Sequence, residues 1–144
     1  MLDPKRVGLK TMRSELGYIK AAAETRIGRS SKALASLQPA ITALQALQTP
    51  GNSDMAVKNA LAKALLLQAD LLKTTDPATA KKNCETVRDM YASLIGSSND
   101  FKLLSPWVKA IHCLGQSELA FSAREKLEAM AYRDPDYVQY LSNH

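Results

Sequence analysis

Aromatic side chains make up only 6% of this 144-residue chain. Its interior must then be filled by Leu, Ala, Ile and Val, as between packed helices. Alternation of apolar and polar residues over strand length is missing, which argues against a sheet. No apolar run approaches the roughly 18 residues of a membrane span. The opening Met1-Leu2-Asp3-Pro4-Lys5-Arg6 lacks the basic-then-apolar order of a signal peptide. A cytoplasmic location and no membrane partner are therefore expected. Cysteine is limited to Cys84 and Cys113, both inside expected helices. They read as buried thiols of a reducing compartment, with a disulfide or metal role as the alternative. There is no glycine-rich phosphate loop, and no local signature ties His112 or His144 to a serine or cysteine nucleophile. His112 and Cys113 are adjacent and lack further ligands at i+4 spacing, so no metal site is expected. Asp134 and Asp136 are explained by helix capping and the first-turn dipole. The sequence thus predicts no catalytic residue, no cofactor and no enzymatic activity.

Helix-start signals, by contrast, recur. Asp3-Pro4, Asp76-Pro77, Ser105-Pro106 and Asp134-Pro135 each pair a capping residue with a proline suited to the first helical turn. The first helix is expected from about Pro4 to Ile27, with Leu9, Met12, Leu16, Ile19, Ala23 and Ile27 on one apolar stripe and Gly28 as its terminator. Ser30 or Ser31 should cap the second, running to about Gln48 through Ala33, Leu34, Leu37, Ala40, Ile41, Leu44 and Leu47, with either a kink near Leu37 imposed by Pro39 or a helix that becomes regular only after Pro39. The third, about Asp54 to Lys73, is apolar on more than one face and should lie centrally. A fourth follows from Asp76 to about Ile95, a fifth from Ser105 to Leu114, and a sixth from Ser117 to Ala131. A short last segment carries Tyr137, Tyr140 and Leu141; with Tyr132 these tyrosines read as a lid over the final hairpin.

Two stretches superpose with a shift of 47: Ala33 on Ala80, Leu37 on Cys84, Ala40 on Val87, Leu44 on Tyr91 and Leu47 on Leu94. A shift of 87 places Gly28 on Gly115, Ser30 on Ser117, Ala33 on Ala120 and Leu34 on Phe121. Three helix pairs result, at about 4–48, 54–95 and 103–131, with a cap at 134–142, all in one domain. One hairpin cannot cover its own apolar face, so neighbours must stack on it.

Gly115, Ala120 and Phe121, preceded by Trp107 and Ile111, resemble the turn and second-helix signature of the tetratricopeptide repeat family, and Gly28 to Leu34 repeats it. The middle unit departs, with Thr75-Asp76-Pro77 where the glycine turn would stand. The first two units also exceed the family's period of about 34 residues. The segment from Ala131 to Tyr137 is similar to the endings of such arrays in large bacterial proteins, which implies the C-terminal portion of a larger chain. The resemblance implies an all-α, right-handed stack of three antiparallel hairpins that binds a peptide or partner-protein segment in a concave groove. Carried onto this sequence, the groove positions are Tyr18, Ala22 and Arg26 of the first helix, Leu65, Ala69 and Lys73 of the third, and Lys109 and His112 of the fifth.

The net charge of +5 is concentrated. Residues 1–32 hold eight Lys or Arg against Asp3, Glu15 and Glu24, while the remainder is balanced. Lys5, Arg6, Lys10, Arg13 and Lys20 form a basic strip on the first helix. A solvated face is the plain explanation. A nucleic-acid partner is not expected, because only Tyr18 is interleaved. The leading reading is a non-enzymatic protein-interaction scaffold for a peptide with acidic and apolar residues. The alternatives are a secretion or export chaperone for an apolar client segment, and a basic helical nucleic-acid binder. An uncovered apolar face on the first or central helix could also make a homodimer.

Overall fold

The structure, a computed structural model, describes residues 4–48, 55–92, 101–116, 118 and 121–129. Among these residues there are six α-helices and no strand: α1 (Pro4–Arg26), α2 (Ser30–Leu47), α3 (Met55–Leu72), α4 (Pro77–Tyr91), α5 (Phe101–Cys113) and α6 (Phe121–Ala129). The Asp3 and Asp134 caps, the lid tyrosines, the 134–142 segment and the 49–54 and 93–100 connections lie outside the described residues.

Each helix packs against its successor, and α3 also touches α1 and α5. This makes α3 the central helix, as its broad apolar surface requires. Val57, Ala60, Leu61, Ala62, Ala64, Leu65 and Ala69 of α3 are all buried. Two pairs are antiparallel hairpins. Glu24 meets Ser36 while Gly17 meets Ala40, so α2 runs back along α1. Asn59 meets Tyr91 while Leu65 meets Asn83, so α4 runs back along α3. The main core joins α1–α4 to Ala110 of α5 through Leu37, Leu44, Leu61, Val87 and Tyr91.

Gly28 and Gly115 close α1 and α5 in the same way. Both have positive φ, 78° and 71°. In each case the glycine N–H donates to the carbonyl three residues back, and the next N–H donates five residues back: Gly28 to Thr25 and Arg29 to Glu24, Gly115 to His112 and Gln116 to Ile111. This is the Schellman arrangement, which satisfies carbonyls a helix end leaves bare. The repeated glycine of the sequence is therefore a repeated backbone turn. The middle hairpin turns without glycine. Asp76 caps α4, accepting from the Thr79 backbone N–H at 3.2 Å and from the Thr79 hydroxyl at 2.6 Å.

The structure corrects several expectations. The α1 stripe is reversed: Leu9, Met12, Leu16 and Ile19 are 66, 61, 64 and 59% exposed, and Ile27 is 64% exposed. The buried face is instead Val7, Thr11, Ser14 and Ala21, with Tyr18 half-buried. Its hydroxyls bond within the helix, Thr11 to the Val7 carbonyl and Ser14 to the Lys10 carbonyl, so burying them strands no donor. Small side chains then allow close approach; a Cβ on Gly17 would stand 3.3 Å from that of Ala40. No side chain caps α2, whose N-cap is Arg29 rather than a serine. The helix continues through Pro39, which faces solvent, where water can reach the carbonyl deprived of its bond. Ser105-Pro106 does not open α5, which begins at Phe101 and carries Pro106 inside. Phe121 begins α6 and is 62% exposed rather than matching Leu34 inside a pair.

Candidate functional site

A cleft of about 360 Å³ lies where the C-terminal ends of α3 and α5 meet the first half of α4. Leu66, Ala69, Asp70 and Lys73 come from α3, Pro77, Ala80, Lys81 and Cys84 from α4, and His112, Cys113 and Leu114 from the end of α5. α3 ends at Leu72, and a turn over Lys73–Thr75, with the Thr75 and Asp76 N–H groups donating to the Leu72 carbonyl, leads to Asp76 and α4.

The floor is apolar. Ala69, Ala80 and Cys84 form a small buried cluster of their own, joined by Leu66, Leu72 and Leu114. The rim is charged. Lys73 is held at 3.2 Å from Asp70, three residues back, and Lys81 stands 4.0 Å from Glu85 one turn on; both lysines are largely exposed. His112 is half-buried at the α5 edge.

One wall is covalent. Cys84 and Cys113 form a disulfide that ties α4 to α5, with a Cα–Cα distance of 6.2 Å. Cys84 is fully buried while Cys113 is exposed. The expected free thiols are thus replaced by a crosslink. Disulfides form and persist in oxidising surroundings, so the bond weighs against the reducing compartment expected from the sequence.

Of the predicted groove residues, the fold brings Ala69, Lys73 and His112 to this cleft. Leu65 is 3% exposed and belongs to the main core, where no ligand reaches it. Lys109 is half-buried on α5 outside the lining. Tyr18 and Ala22 are half-buried on α1, and Arg26 is exposed in its last turn; none of them lines the cleft. The basic strip residues Lys5, Arg6, Lys10, Arg13 and Lys20 are all exposed on α1. Sequence reasoning overlooked Leu66, Lys81, Leu114 and the cysteine pair as neighbours. The signal available was the even number of cysteines and their placement on successive helices.

A polar ladder behind the cleft was also overlooked. The Asn83 amide donates to Gln68 at 2.7 Å and to the Leu65 carbonyl at 3.3 Å, and Gln68 donates to Gln38 at 3.2 Å. It fixes the rotation of α4 against α3 and α2, since a buried amide left unpaired is costly. Deeper in the core, Tyr91 donates to Asn59 at 2.7 Å, and burial pushes its phenol well above the usual range.

Among the described residues no group of three His, Cys, Asp or Glu side chains is arranged to hold a metal ion. No described helix is long and apolar enough to cross a membrane. Comparison of the chain with protein-family models, with curated proteins and with solved structures gives no match.

Proposed function

We propose that this chain is a non-enzymatic interaction module, a stack of helix hairpins resembling tetratricopeptide repeats, which holds a partner-protein segment in the α3–α4–α5 cleft. The stacking is supported by the antiparallel α1–α2 and α3–α4 pairs and by the serial contacts of α1, α3 and α5. Such repeats cover one another's apolar faces and leave an elongated surface for extended ligands.

The observation that carries the reading is the composition of the cleft: an apolar floor under Lys73, Lys81 and His112. An apolar side chain fills the floor, and carboxylates on either side of it meet the lysines. This is a binding chemistry. Lys73 and Lys81 are exposed, and each has a carboxylate neighbour on its own helix. The ligand is then an extended segment with acidic residues flanking Leu, Ile or Phe.

A library of extended peptides, scored for binding to the folded chain, tests this. Binders should be enriched in acidic-apolar sequences, and Lys73→Glu with Lys81→Glu should weaken them by about tenfold or more, equivalent to about 1.4 kcal/mol. Binders indifferent to that charge reversal would remove the assignment.

A further inference from the structure

The outward face of α1 is an unfilled helix-pairing seam. Leu9, Met12, Leu16, Ile19 and Ala23 follow one another by alternating steps of three and four, the a and d positions of a heptad. The first four are exposed as described above and so is Ala23; the five run for about 21 Å along the helix axis. The opposite face of α1 is the one packed on α2.

Two features indicate what covers the seam. The first is its width. The large exposed apolar side chains of α1 are confined to the a and d rows, which suits the groove of a second helix better than the broad apolar face of an interfacial membrane helix. The second is charge. Arg6, Arg13 and Lys20 fall seven residues apart, all at the e position beside the seam. All three are exposed. A second copy of this chain answers them poorly. In an antiparallel pair the three cations of each copy would face those of the other. In a parallel pair e faces g, where this helix offers Gly8, Glu15 and Ala22, one acid for three cations.

We propose that α1 docks an amphipathic α-helix from a partner, with an a/d apolar seam and Asp or Glu on the flank that meets Arg6, Arg13 and Lys20. Leu9, Met12, Leu16 and Ile19 supply the buried contact. The cations select partner and register, as e and g charges do in paired helices. The docking does not depend on the cleft between α3, α4 and α5.

The test uses the full chain and two helical peptides of three heptads, both with Leu at a and d, one with Glu and one with Lys at e and g. Fluorescence anisotropy at low salt should show the Glu peptide binding at least about tenfold more tightly, and more weakly as salt rises. Arg13→Glu with Lys20→Glu should invert the preference. Leu16→Glu should abolish binding of the Glu peptide while leaving circular dichroism and Tm unchanged, because Leu16 touches solvent rather than core. Equal affinity for both peptides, or binding of neither, overturns the proposal. So does a concentration-dependent dimer abolished by Leu16→Glu without peptide binding, which assigns the face to a second copy. Sedimentation with phosphatidylserine vesicles, abolished by the same variant without peptide binding, assigns it to a lipid surface and equally overturns the proposal.

Discussion

Asp76 shows how much one side chain settles where the chain must reverse without glycine. Hydrogen bonds first from the Thr79 hydroxyl and then from its backbone N–H hold the Asp76 carboxyl below the usual carboxylate range. A carboxyl with a lowered folded pKa stabilises above its unfolded pKa, and that support is lost as pH falls through the folded value. Asp76→Ala should therefore lower stability at neutral pH. Asp76→Asn should retain most of the capping and make the acid side of the stability profile flatter; urea titrations between neutral and acidic pH measure both. The glycines separate by a similar logic. A Cβ on Gly8 meets nothing within 4 Å, so Gly8→Ala should stabilise by up to about 1 kcal/mol through helix propensity alone. Gly17 faces Ala40 across the α1–α2 seam, and Gly17→Leu should cost about 1–3 kcal/mol by forcing the helices apart. Thermal unfolding of the two variants should move Tm in opposite directions.

At the level of the helix, α1 holds the sharpest lesson. Hydrophobic periodicity located the helix, and Gly28 ended it within a residue or two, because these depend on local backbone chemistry. The same periodicity chose the wrong face. A stripe of Leu, Met and Ile seeks burial, but burial of that stripe requires a neighbour to receive it. The α2 surface offers Ala33, Leu37 and Ala40, which fit the small face of Gly17 and Ala21 more closely. The place of Pro106 is ambiguous in sequence for a related reason. Pro106 looks the same in sequence whether it begins a helix or stands one turn inside, and only the packing of Leu104 and Val108 shows that the helix started earlier. The α4–α5 junction adds a covalent constraint across a sequence separation of 29. Closing a loop of that length removes denatured-state entropy worth about 3–4 kcal/mol. Reduction, or Cys84→Ala with Cys113→Ala, should lower the denaturation free energy by an amount of that order and open the cleft wall; guanidinium titration with and without reductant measures it.

Across the whole molecule, the α1 seam and the cleft differ in the charge beside their apolar residues. The basic excess sits on the N-terminal helix, while the cleft lies among α3, α4 and α5 with mixed charge. The two surfaces belong to different helices and should act independently. Lys73→Glu with Lys81→Glu should leave helix-peptide binding at α1 unchanged, since sites with no shared partners couple weakly. An all-helical architecture, a central third helix and a repeated glycine turn were all legible in the residues. Each follows from short-range rules, namely periodicity, capping and left-handed glycine, that act within a few residues. Which face of α1 is covered, that Leu65 lies in the core while Leu66 lines a cleft, and that Cys84 meets Cys113 were decided by tertiary structure alone. These are contacts between segments far apart in the chain, where size complementarity between whole helix faces outweighs the apolar pattern of either one.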